Sequence, residues 1–214
     1  MGRHHLHLSF ILLVSIFTVA RSSPLLAQGY RSYHQAYYPN GRSSVFAIQS
    51  IEGEYGKVQA IKAGSSQEAN KSSTWRGHGV KNGVGVEFMR FTQFTLTHTL
   101  VNYRSKATST ENLRGSRISG EARVVFSSPI GNLEGGVGAI ASTFDYQNKE
   151  NQSSYVGSGY YHLLGLNYFS SSRVSFFAHG KKIFENLVRH GGNTSIENIK
   201  NDSFSLGLGI KLWI

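Results

Sequence analysis

The residues able to do acid–base or nucleophilic chemistry are scattered along this chain. Beyond residue 27, histidines stand at His34, His78, His98, His162, His179 and His190, and no two have the close spacing of a metal-ligand pair. His179, with Ser175 and Glu185 nearby, is the one group that combines a base, a hydroxyl and a carboxylate. A base that removes the serine proton would make a nucleophile, but the order and spacing of these three match no catalytic motif. His98 lies between Leu96 and Leu100, and His162 shares a period-two phase with Tyr160, Leu164 and Leu166, so both read as members of apolar faces. The glycine-rich pieces GVKNGVGVE and LEGGVGA lack the lysine–serine ending and following helix of a phosphate loop. Cysteine is absent, which excludes disulfides, thiolate metal sites and a cysteine nucleophile. No residue is therefore assigned to catalysis, cofactor binding or metal binding, and the chain reads as a non-enzyme.

The elements that would position any site begin after a leader. Arg3 and three histidines precede an apolar run from Phe10 to Ala20, followed by small residues up to Ala27, the pattern of a secretory signal peptide over residues 1–27. Ala20 is the other candidate cleavage position. The run is short against the ~20 residues of a spanning helix, and every later apolar run is broken by Gly, Ser, Thr or a charge. Any span must be made of strands. Residues 28–44, with four tyrosines, a Tyr-Pro and an Asn-Gly, read as an N-terminal tail on the periplasmic side, and residues 45–214 as one domain. The formal net charge of +10 falls only by the two bases of the leader, which points to anionic partners.

Eight segments rich in Val, Ile, Phe, Tyr, Thr and Gly read as strands: 45–61, 77–90, 94–104, 116–127, 132–147, 155–169, 173–185 and 203–214. Their connections alternate long and short. In an up-and-down sheet the long ones then share one end, where bases outnumber acids, and the short ones (91–93, 128–131, 170–172) share the other, uncharged end.

Period-two faces are plainest in the fourth and eighth segments. Ile118, Ala122, Val124 and Phe126 oppose Ser119, Glu121 and Arg123, while Phe204, Leu206, Leu208, Ile210, Leu212 and Ile214 alternate with Ser205, Gly207, Gly209, Lys211 and Trp213. In the first segment Phe46 and Ile48 are out of phase with Ile51 and Tyr55, which suggests a bulge or a register error. Glu52, Glu54, Lys81, Glu87, Glu121, Arg123, Lys181 and Lys211 fall mid-segment on the phase carrying Gly and Ser. Inside a narrow membrane barrel they would pair across strands, since an unpaired charge out of water costs several kcal/mol.

On these features residues 45–214 resemble the small eight-stranded bacterial outer-membrane β-barrels of OmpX-like and OmpA transmembrane-domain architecture. The resemblance implies an all-β, eight-stranded antiparallel up-and-down transmembrane barrel in the outer membrane of a Gram-negative bacterium, inserted by the barrel-assembly machinery. That machinery reads an alternating C-terminal strand with a terminal aromatic; here SFSLGLGIKLWI has its aromatic, Trp213, next to last. The expected role is structural, adhesive or in envelope interactions, as a monomer surrounded by outer-membrane lipid and without nucleic acid. Lys62, Lys71, Arg76, Lys106, Arg114, Arg189 and Lys200 in the long loops would contact lipopolysaccharide phosphates. Two other readings fit the pattern: a soluble periplasmic lipocalin-like barrel with an apolar interior ligand, and a lipid A-modifying enzyme with His179 or His162 at its outer rim. The deacylases among such enzymes resemble a His-x-Ser pattern, found here only at His7-Leu8-Ser9 in the leader.

Overall fold

The computed structural model describes residues 44–62, 71–88, 91–106, 111–128, 131–148, 151–169, 174–192 and 194–214. The expected leader 1–27 and the tail up to residue 43 lie outside these residues. Eight strands follow one another: β1 (Ser44–Lys62), β2 (Lys71–Phe88), β3 (Thr92–Ser105), β4 (Asn112–Ser128), β5 (Gly131–Gln147), β6 (Gln152–Phe169), β7 (Val174–Gly192) and β8 (Ile196–Trp213). Each pairs antiparallel with its sequence neighbours, and β1 closes on β8 over a ladder running from Phe46↔Trp213 to Lys62↔Ile196. The fold is the expected all-β, eight-stranded up-and-down barrel. Closure leaves no strand edge unpaired, which is what a sheet needs in a medium without water.

The strands outrun the sequence-based segments at one end. β2 begins at Lys71 rather than 77, β4 at Asn112 rather than 116, β7 continues to Gly192 rather than 185, and β8 begins at Ile196 rather than 203. Much of the predicted long loops is thus paired strand, and the connections at that end shrink to residues 63–70, 106–111, 148–151 and 193–195. An 18-residue strand such as β6, tilted as in such barrels, rises about 45 Å against an apolar belt of about 25 Å. The barrel therefore stands well out of the bilayer at its loop end.

Below that projection the barrel is inside out relative to a soluble one. Ile51, Val84, Leu96, Val124, Leu164 and Leu208 face outward, each between 47% and 67% exposed. Aromatic rings border this belt. Phe88, Phe94, Phe126, Tyr168 and Phe176 ring the turn end, while Tyr55, Tyr160, Phe184 and Phe204 mark the loop end, where Tyr160 stacks on Phe184 at 5.2 Å between centroids. Such paired girdles sit at the two interfaces of a bilayer.

Above the second girdle the pattern reverses. Val58, Trp75, Val101, Leu113, Phe144, Tyr155, Leu187 and Ile199 turn inward into one cluster, while Lys57, Arg76, Arg104, Arg114, Asn186 and Lys200 turn outward. A strand in water buries its apolar side chains inside, and one in lipid turns them out, so the reversal marks where the membrane ends.

Neither face of β1 carries a bulge at the point where one was expected. Phe46 and Ile48 are inward, packed with Phe177 and Trp213 into a plug at the turn end, whereas Ile51 and Tyr55 are outward in the belt. The ladder with β2 runs without a register shift from Ser44↔Glu87 to Ala60↔Lys71. Inner-face glycines make room for large rings: a Cβ on Gly138 would strike the Tyr161 ring, and one on Gly85 the Phe46 ring. Aromatic side chains laid over glycines on the neighbouring strand let a small barrel fill its interior.

Candidate functional site at the outer mouth of a filled barrel

The inner wall carries two charged layers. In the lower one, Lys81 lies 3.0 Å from Glu121 and 3.7 Å from Glu52. Lys181 and His179 also reach Glu52, at 2.9 and 3.0 Å. Arg123 joins Glu121 to Glu134, its Nη1 donating to Glu134 at 2.6 Å. Lys211 bridges Glu134 and Gln93, and Gln93 donates to Glu87 at 2.6 Å. All eight mid-segment charges singled out in the sequence are inward and buried, Glu54 in the upper layer.

The upper layer centres on Arg117 of β4. Its Nη1 donates to Glu54 at 2.6 Å and its Nη2 to Glu185 at 2.8 Å, which ties β4 to β1 and β7 across the lumen. Tyr103 donates to Glu54, Ser142 to Glu185, and Asn201 to Glu185 at 3.1 Å. The guanidinium also stacks near the Tyr103 and Phe144 rings, 5.5 and 5.4 Å from their centroids. Arg117 and Glu134 were not singled out in the sequence, and Glu185 only as a neighbour of His179, although each shares the inward phase of its strand. Their signal was an even spacing from other inward residues: Arg117 lies two before Ser119 and four before Glu121, and Glu185 lies four after Lys181.

The residues considered for catalysis are not brought together. Ser175, His179 and Glu185 all point inward from β7 but serve different levels. Ser175 accepts from the Trp213 indole at 3.2 Å, His179 bonds to Glu52, and Glu185 holds Arg117. His179 is thus buried in the lumen and not at the outer rim. His162 faces outward in the belt, its ring edge-on to Tyr160 at 5.9 Å. His98 is outward too, paired across the ladders with Asn82 and Ile118. Among the described residues no cluster of His, Asp and Glu could hold a metal ion.

The loop-end basic residues divide by face. Arg76, Arg104 and Arg114 lie outward and exposed on adjacent strands just above the second girdle, with Tyr55↔Arg76 and Arg76↔Arg104 directly paired. Lys106 covers the Tyr55 ring at 5.1 Å. Arg104 was not among the expected loop bases because it falls within a strand segment. Lys200 is outward, and Arg189 donates to the Thr194 carbonyl. The side chains of Lys62 and Lys71 lie outside the described residues.

Above the upper layer, the inward apolar cluster floors a cup of about 430 Å3 at the mouth. Val58, Trp75, Leu113, Tyr146 and Ile199 form its base; Ser72, Ser73, Glu111, Asn148, Asn151 and Thr194 stand around it. The Trp75 indole donates to Ser73, and the Asn151 amide donates to the Asn148 side chain at 2.9 Å. Burial, with the Glu111 carboxylate beside it, holds the Tyr146 phenol above its usual range. This cup combines concavity, an apolar floor and convergent polar groups, the usual make-up of a small-molecule site.

No protein-family model matches the chain, and no curated protein matches it in sequence. Among solved structures it is similar to Neisserial surface protein A, with a TM-score of 0.51 at 15% identity over 78% of this chain and 96% of that one. The outer membrane protein OprG from Pseudomonas aeruginosa gives a TM-score of 0.49 at 13% identity, over 81% of this chain and 97% of that one. At such identities the likeness is one of fold. The likeness to Neisserial surface protein A, together with the outward apolar belt, the paired girdles and the charged lumen, which a soluble lipocalin-like barrel would have the other way round, makes this chain an eight-stranded membrane-spanning β-barrel with the fold of the outer-membrane type.

Proposed function

We propose that this barrel acts at its outer end, in an adhesive or envelope-interaction role, as a monomer that conducts no solute. The observation that carries the reading is the filled lumen: two ion-paired layers lie between the Phe46–Trp213 plug below and the apolar cluster below the mouth. A lumen so occupied leaves the projecting end as the working surface, and eight-stranded barrels are just wide enough for side chains to fill. In planar bilayers the purified protein is expected to give no stepwise conductance, and its band on an unboiled denaturing gel should shift on heating. Reproducible single-channel steps would overturn the reading.

The belt of Arg76, Arg104 and Arg114 supports lipopolysaccharide as the envelope partner. These side chains stand outward at the height of lipid headgroups, where charge-assisted bonds to phosphates form. Changing all three to glutamine is expected to lower the lipopolysaccharide that remains bound through detergent purification several-fold. The loss should be mimicked by raised salt, and retention equal to wild type would remove the partner from the proposal.

A further inference from the structure

We infer that the cup at the mouth is a binding site for an uncharged sugar unit of a glycan. The inference deepens the proposed role at the outer end and rests on it, since the mouth must face the outside for such a ligand to reach it. Three features of the cup narrow its ligand.

The first is charge. Among the described residues lining the cup, Glu111 is the sole charged side chain. A phosphate, sulfate or carboxylate ligand would find no counter-charge there and would meet Glu111. Arg76, Arg104 and Arg114 are turned away, on the outer face of β2, β3 and β4, and the Arg189 guanidinium is bonded to the Thr194 carbonyl. The outward arginines of β2, β3 and β4 therefore offer anions a surface apart from the cup.

The second is the mixture of polar and apolar groups. Ser72, Ser73, Asn151, Thr194 and Ser195 offer hydroxyl and amide groups that both donate and accept. A hydrocarbon ligand would cover them without replacing their bonds to water, at a cost for each. Below them Val58, Ala60, Leu113, Ile196 and Ile199, with the edges of Trp75 and Tyr146, supply apolar contact. A pyranose matches this division, since its hydroxyls lie around its rim and its C–H groups form an apolar face.

The third is size and rigidity. About 430 Å3 lies at the smaller end of small-molecule sites, which run from about 300 to 1,000 Å3. That is room for one sugar ring and part of a second. The floor is set in place by ladder pairing, with Trp75 opposite Gly56 and Ser105 and Leu113 opposite Tyr103 and Tyr146. Sites carried on strands are held more closely than sites on loops, so the apolar floor, with Ser72 and Ser73 of β2, does not have to be ordered when a ligand arrives.

The chain contains two tryptophans, Trp75 in the cup floor and Trp213 in the plug at the far end. The full barrel in lipid nanodiscs, carrying Trp213→Phe so that Trp75 alone reports, is titrated with glucose-, galactose- and N-acetylglucosamine-terminated oligosaccharides. A sulfated oligosaccharide and an apolar hexapeptide are titrated alongside. At least one neutral sugar is expected to change Trp75 emission saturably with a Kd of about 1 mM or tighter. Ala60→Phe, which fills the cup from its wall, should weaken that binding at least tenfold while leaving the heat-dependent gel shift intact.

Binding unchanged in Ala60→Phe would overturn the inference, as would a response to the sulfated sugar or the peptide alone, or none to any neutral sugar. Protease protection of the loop end on intact cells is measured in parallel. If that end is shielded, the outer-end role fails; if it is accessible and no sugar binds, only the sugar site fails.

Discussion

Replacing Arg117 with methionine is expected to cost the barrel about 3–5 kcal/mol of folding free energy, the loss found when one partner of a buried ion network is removed. Arg117 is 4% exposed and is the common partner of Glu54 on β1 and Glu185 on β7, both across the lumen from β4. Without it, two buried carboxylates face each other with Tyr103, Ser142 and Asn201 as their remaining partners. The measurement is urea unfolding in lipid vesicles, followed by the gel-mobility difference between folded and unfolded forms. A second variant separates net charge from packing: Arg117→Met with Glu54→Gln and Glu185→Gln removes all three charges and should recover most of the loss. Buried ion groups replaced as a set by neutral ones of similar size are often near neutral in stability. A cost below 1 kcal/mol for Arg117→Met alone would mean that the upper layer does not hold the strands together.

The same reasoning explains why charge fills this lumen. Every inward position is out of bulk water, so each acid or base must bring its partner with it; Arg123 finds its partners on its own strand and the next, and other groups find theirs on strands that are not neighbours. Lys81 of β2 reaches Glu121 of β4, and Lys211 of β8 reaches Glu134 of β5. These are links across the barrel and not along a ladder. They fix the separation of opposite walls, a task that the apolar clusters at the two ends perform by volume alone.

How much of this was legible in the sequence depended on which side of the membrane surface a residue lies. Within the belt the alternation is kept over many residues, so Leu206, Leu208 and Ile210 of β8 declared both the strand and its outer face. Above the girdle the apolar phase switches from out to in. In β5 the apolar residues are Leu133 and Val137 outward and then Ile140, Phe144 and Tyr146 inward. A reader looking for one unbroken stripe sees it dissolve and assigns the remainder to loop, which is how Lys71–Arg76 and Ile196–Asp202 became connections. The reverse switch at the bottom, where Phe46 and Ile48 plug the lumen, looked like a bulge. The charges were legible because each lies an even number of positions from inward Gly or Ser, but their pairing was not, since partners up to three strands apart around the barrel are set by its closure. The cup was illegible for the same reason: Trp75, Leu113, Tyr146 and Ile199 belong to four strands and share no motif.

That switch also supplies the sharpest test of where the membrane lies. Leu164 and Val188 are both outward and well exposed, at 63% and 49%. Leu164 lies on β6 midway between Tyr168 of the lower girdle and Tyr160 of the upper one, flanked across the ladders by Gly135 and Gly180. Val188 lies on β7, four residues beyond Phe184, in the projecting part. In water an arginine at either place would be solvated at once and cost next to nothing. In a bilayer the costs separate: Leu164→Arg should destabilise by about 2–4 kcal/mol, the penalty at the midplane of a lipid-facing strand, and Val188→Arg by about 0–1 kcal/mol. The glycines beside Leu164 give an arginine there no polar neighbour, so it must reach toward one of the girdles. The comparison is made by urea unfolding of each variant in lipid vesicles against wild type. Equal costs at the two positions would detach the apolar belt from the membrane, whereas the expected difference would set the bilayer between Tyr168 and Tyr160 and leave the charged lumen, the arginine belt and the cup at the heights given to them here.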